Sequence, residues 1–171
     1  LMGQRKGKRI VGLVLAALLL LAPAAPAQVA AARERKVVYT ALGDSIATGY
    51  RLSDVSASYV SRFGEYLDTK PVNLGQNGLA SSGLLQKLTS DQKVIAQVRQ
   101  SDVITISMGG NDMLNLLYPL VPKGLSDVPS SVQKMQSPAY RRQFEQGVQK
   151  FGQNWGRIID RVKELSPRSV L

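Results

Sequence analysis

Residues 37–50 read VVYTALGDSIATGY. The β-branched and aromatic run Val37-Val38-Tyr39-Thr40 suits a pleated, buried strand, which continues through Ala41-Leu42. Gly43-Asp44-Ser45 then breaks it, and glycine supplies the backbone freedom for a sharp exit. A serine at that exit sits at the carboxyl end of a strand, where open α/β sheets place their ligands. Ser45 is therefore the candidate nucleophile.

Two similar strand ends follow. Pro71-Val72-Asn73-Leu74 reads as a short second strand running into Gly75-Gln76-Asn77-Gly78. Asp102 to Met108 (DVITISM) is a near-continuous β-rich run, as expected of a parallel strand covered on both faces, and it ends in Gly109-Gly110-Asn111-Asp112. Helical patterns lie between them: one following the Arg51–Ser56 loop and ending at Leu67, with Val60, Phe63 and Leu67 on one face, then Leu84–Leu88 and Asp91–Arg99.

Tyr118 to Ser137 reads as a long proline-containing connection. It is either the flank of an acyl pocket or a plain surface loop. Ser137-Pro138 opens a long helix, with serine as N-cap and proline at the first helical position. Its stripe is Tyr140, Phe144, Val148, Phe151, Trp155, Ile158, Val162 and Leu165, a core-packing pattern. Ser169-Val170-Leu171 begins a fourth strand. The alternation β-α-β-α-β-α-(β) predicts a parallel sheet with right-handed crossovers, incomplete at the C-terminus.

Composition narrows the chemistry. The 171 residues contain neither cysteine nor histidine. Disulfides, thiolate catalysis and imidazole bases or ligands are thus excluded within them. Of the net charge of +10, four cations (Arg5, Lys6, Lys8 and Arg9) precede the apolar run Ile10–Ala22. That run falls short of the roughly 20 residues that span a bilayer, and Ala25 and Ala27 form an A-x-A cleavage pattern. Residues 1–27 are expected to be a secretory signal, 28–36 a short lead-in, and 37–171 the domain. The localisation expected is secreted, from a bacterium. The remaining modest cationic excess suits peripheral contact with cell wall or a membrane surface. No basic cluster is interleaved with aromatics, so no nucleic-acid partner is expected. Oligomeric state is not legible.

In a parallel sheet the three strand ends share one edge, and residues distant in sequence converge there. The Ser45 and Gly78 backbone N–H groups and the Asn111 amide then make three donors for a developing oxyanion. No GxSxG elbow and no phosphate-binding glycine loop is present.

Gly43-Asp44-Ser45, Asn73–Gly78 and Gly109–Asp112, in that order, resemble the first three blocks of the GDSL lipase/esterase family, the SGNH hydrolases. The pattern is most similar to the secreted bacterial lipase/acylhydrolase type. The resemblance implies a three-layer α/β/α flavodoxin-like fold without cofactor or metal, acting on a small-molecule or lipid ester. It implies Ser45 as nucleophile, Gly78 and Asn111 as completing the oxyanion hole, and Asp44 as shaping the turn. The fourth block, a D-x-x-H that supplies base and orienting acid, is missing here. It is expected within roughly another 60–100 residues of a domain of typical size, and the 171 residues alone are expected to be inactive. The alternative is an inactive acyl- or glycan-binding homologue of the same fold. Taken singly, GDS is a common tripeptide, and GGND could be a helix N-cap by Asn111 or Asp112.

Overall fold

The computed structural model describes residues 35–121 and 128–171. The expected signal segment and most of the lead-in lie outside the described residues. Strand β1 (Tyr39–Gly43) is central, flanked by β2 (Val72–Asn73) on one side and β3 (Val103–Ser107) on the other, all parallel. Gly43 stands opposite Ser107, so β1 and β3 end level with each other. Beyond β3, Val170 makes a single parallel bridge to Val103.

Seven α-helices are described: α1 (Ser45–Thr48), α2 (Tyr59–Tyr66), α3 (Ser81–Ser90), α4 (Gln92–Arg99), α5 (Gly110–Leu117), α6 (Val128–Gln136) and α7 (Pro138–Leu165). Ser58, Asp91 and Ser137 cap α2, α4 and α7 through side-chain oxygens that accept from backbone N–H groups of the first turn.

Side chains alternate across β1, and the two faces build two cores. Leu42 and Ile104 meet Leu84, Leu88, Val94, Ile95 and Val98 of α3 and α4, together with Ile158, Val162 and Leu165 of α7. Tyr39 and Ala41 meet Ala47 of α1 and Val60 of α2, with Phe63 edge-on to Tyr39 at 5.2 Å. The result is three layers, α/β/α. Thr40 is buried on the aliphatic side, yet its hydroxyl oxygen is bonded to the Ser101 hydroxyl at 2.7 Å and accepts from Gln97 Nε2 at 2.9 Å. A buried hydroxyl so partnered avoids a desolvation cost.

Four expectations change. β3 is not covered on both faces: only Ile104 is buried. Its Thr105 side opens onto an apolar groove of about 470 Å³ shared with Tyr59, Arg62, Phe63 and Tyr66. β2 shrinks to two exposed residues, because only Thr40 and Ala41 find partners along it. The described parts of the connection from Tyr118 are mostly helical: a 3₁₀ turn over Tyr118–Leu120, and α6 with Pro129 in its first turn, where no helical N–H is lost. Helix α3 starts at Ser81 rather than near Leu84. The small residues there are its first turn, for a reason that belongs to the site.

Helix α7 spans 28 residues and anchors the aliphatic layer with its C-terminal half. Ile158→Ala should therefore lower stability by about 2–5 kcal/mol in a denaturant melt. Burial is the main force raising the phenol pKa of both Tyr39 and Tyr59 above its ordinary value of 10.0, against a smaller pull from the Thr105 hydroxyl. The folded state prefers the neutral rings. Their contribution is intact below pH 10 and is lost as pH climbs through the raised values. Tyr59→Phe should then show a shallower fall of Tm above about pH 10 than the parent chain.

Candidate active site

The three motif segments meet at the carboxyl edge of the sheet, and hydrogen bonds join each pair through residues within the segments or one to two positions beside them. The first and second are joined through the Gln76 amide, which donates to the Gly43 carbonyl at 2.9 Å. Asn73 Nδ2 donates to the Ala47 carbonyl at 2.6 Å, while its Oδ1 accepts from the Gly75 amide at 2.9 Å. The Thr48 hydroxyl donates to Asn77 Oδ1 at 2.5 Å. The first and third are joined through the Asp44 amide, which donates to the Ser107 carbonyl at 3.0 Å. Gly110 lies beside Asp44: a Cβ there would be 3.7 Å from Asp44 Oδ2. The second and third are joined by Asn111 Nδ2, which donates to the Leu79 carbonyl at 3.0 Å. Ser45, Gly78 and Asn111 therefore share one rim.

Ser45 is the first residue of α1 and half-buried. Its N–H lies outside the helix's own ladder. Asp44, 4% exposed, precedes it as N-cap, accepting from the Ile46 amide at 3.0 Å. That carboxylate holds the turn, as expected of it.

Gly78 has φ 76°, and a Cβ there would meet nothing within 4 Å. Its left-handed backbone favours glycine at 78, and the space a side chain would take is empty.

Helix α5 begins at Gly110 behind Gly109, and no side chain caps it. The plain reading of GGND as an N-cap by Asn111 or Asp112 does not hold. The Asn111 amide turns to Leu79, and Asp112 turns to Ser81. Phe151 of α7 packs on this segment, its ring 2.9 Å from where a Gly109 Cβ would sit. The aromatic stripe of α7 thus supports the site from behind.

Two residues, Ser81 and Asn154, escaped the sequence reading of the site, and Asp112 takes a different partner from the one its motif suggested. Ser81, 0% exposed, donates from both its amide (2.9 Å) and its hydroxyl (2.5 Å) to the two oxygens of Asp112. Asn154 Nδ2 then donates to the Ser81 hydroxyl oxygen at 2.9 Å. One signal was available: Asn154 lies four residues before Ile158 and eight before Val162, on the buried face of α7. A second groove, about 780 Å³ near Gly64, Lys70 and Pro71, contains none of Ser45, Gly78 or Asn111.

A parallel three-stranded sheet between two helical layers is the fold of the SGNH hydrolases. A model of the GDSL-like Lipase/Acylhydrolase family matches residues 41–171, and the chain belongs to that family. The spore germination lipase LipC of Bacillus licheniformis is 34% identical over 85 residues, 46% of this chain and 40% of the relative. The crystal structure of the lipase Lip_vut3 from a goat rumen metagenome superposes with a TM-score of 0.54 at 23% identity, covering 75% of this chain and 57% of that one. The chain thus spans about two fifths and somewhat over half of these relatives.

Gly43 tests the geometry of the rim. Its φ is 143°, and a Cβ would collide with the Ser107 carbonyl oxygen. Gly43→Ala should cost about 1–3 kcal/mol, read from the denaturant midpoint, and more if β1 and β3 must separate to relieve the clash.

Proposed function

We propose that the protein is a serine ester hydrolase whose acyl-transfer site is the Ser45–Gly78–Asn111 rim. The observation that carries this is the pairwise bonding of the three motif segments, which brings a hydroxyl and three N–H donors to one edge. In the reaction, Ser45 Oγ attacks the ester carbonyl and its proton passes to a general base. The carbonyl oxygen becomes anionic and takes hydrogen bonds from the Ser45 and Gly78 amides and from the second N–H of Asn111 Nδ2, the first being held by Leu79. Collapse of the tetrahedral intermediate expels the alcohol, which receives the proton from the base. Water then attacks the acyl-serine and releases the acid.

Such donors are worth most because they are fixed before charge develops. The 171 residues hold no histidine. No imidazole among them can therefore serve as that base. Among ester classes, acyl lipids are favoured by the apolar side chains beside the rim: Ile46, 64% exposed next to Ser45, and Leu114 and Tyr118 after Asn111. The relatives named as lipases agree with that choice. The leader-like segment at 1–27 supports export.

The full-length protein should hydrolyse 4-nitrophenyl acyl esters and take up a fluorophosphonate probe, and Ser45→Ala should abolish both. Asn111→Ala should lower kcat by about 10²–10³ while keeping Ser45 labelled at long times. A folded wild-type protein that neither turns over esters nor labels would make the cleft a binding site for acyl or glycan groups.

A further inference from the structure

We propose that Asp112, Ser81 and Asn154 form a positioning clamp that sets the spacing between the two remote oxyanion donors, Gly78 and Asn111. The proposal rests on the ester-hydrolase reading above.

Gly78 and Asn111 come from different crossovers. Their relative placement has to hold within about 0.5 Å for a preorganised site. Two bonded rungs connect the segments and run in opposite directions. Asn111 donates to the Leu79 carbonyl, while Ser81 donates twice to the neighbouring Asp112. One rung alone would leave the Leu79–Ser81 segment free to pivot about Asn111. The second, charge-assisted and two-pronged, stops that rotation. Asn154 completes the hydroxyl's bonding from α7, and with 7% exposure it works where water does not compete.

Asp112 does a second job. The N-cap of α3 is Ala80, which offers no side-chain acceptor. The Asp112 carboxylate therefore takes an orphan N–H in the first turn of α3 from across the site. This is why α3 can start at Ser81 with a weak local cap. It also makes helix capping and donor placement one interaction, so a test has to separate them.

In the full-length protein, Asp112→Ala and Ser81→Ala should each lower kcat per titrated serine by about 10–100-fold, with KM within about threefold. Loss confined to kcat marks an interaction that acts in the transition state. The double variant should fall no further than the worse single one, because both remove the same rung. Asp112→Asn keeps an acceptor and the shape of the side chain. It should fall less, in the same direction, and covers the case in which the alanine variant does not fold. Ala80→Asp added to Asp112→Ala gives α3 its own cap: Tm should recover while kcat stays low. Recovery of kcat with the new cap would show that Asp112 only stabilises the helix. So would kcat within twofold of wild type in the single variants. Either result overturns the clamp while leaving an active wild type, and with it the hydrolase reading, intact. A wild type without turnover or labelling overturns both.

Discussion

The peptide group between Gly43 and Asp44 is the joint on which the rest of the site depends. Its carbonyl accepts from Gln76 at 2.9 Å and its N–H donates to Ser107 at 3.0 Å. One planar unit thus bonds the second motif segment on one side and the end of β3 on the other. A peptide cannot rotate without breaking one of those bonds, so the exit of β1 has a single direction. That direction presents Ser45 at the rim. The approach of β3 is so close that only a residue without Cβ fits at 43. The strand interior explains why the joint does not drift: Tyr39, Thr40, Ala41 and Leu42 are all 0% exposed.

Two sets of buried polar groups lie where chain segments far apart in sequence meet. Thr40, Ser101 and Gln97 tie β1 to the end of α4. Ser166 donates to the Ser101 carbonyl at 3.0 Å, bringing the end of α7 to the same place. Ser81, Asp112 and Asn154 do the corresponding work at the opposite end of the sheet. Aliphatic packing between these points supplies cohesion without direction. The hydrogen bonds supply direction, and leaving any member unpaired carries a desolvation penalty.

Membership of the GDSL-like family brings a division of labour into view. Donors for an oxyanion are built from backbone and carboxamide groups that carry no titrating proton, so their strength does not vary with pH. Proton transfer is a separate task that needs a group with a tunable pKa. On the proposed reading, the described residues supply the first kind of group around Ser45.

Sequence alone determined the order of the three strands and of α2, α3, α4 and α7, though not the helices α1, α5 and α6, and it gave the capped start of α7 at Ser137-Pro138. These follow from local rules: β-branched runs, glycine at turns, serine before proline. It misjudged what depends on neighbours. The exposure of β3 reflects what lies beside it, since Val103–Ser107 has the same composition whether one face or two are covered. The start of α3 at Ser81 depends on a carboxylate 31 positions away. Asn154 carried no signal of its own in the sequence beyond its place on the buried face of α7, and Asp112 read as one of two candidate N-caps. Only the folded chain brings each of them to Ser81, because hydrogen-bond partners across a crossover leave no periodic trace in the sequence.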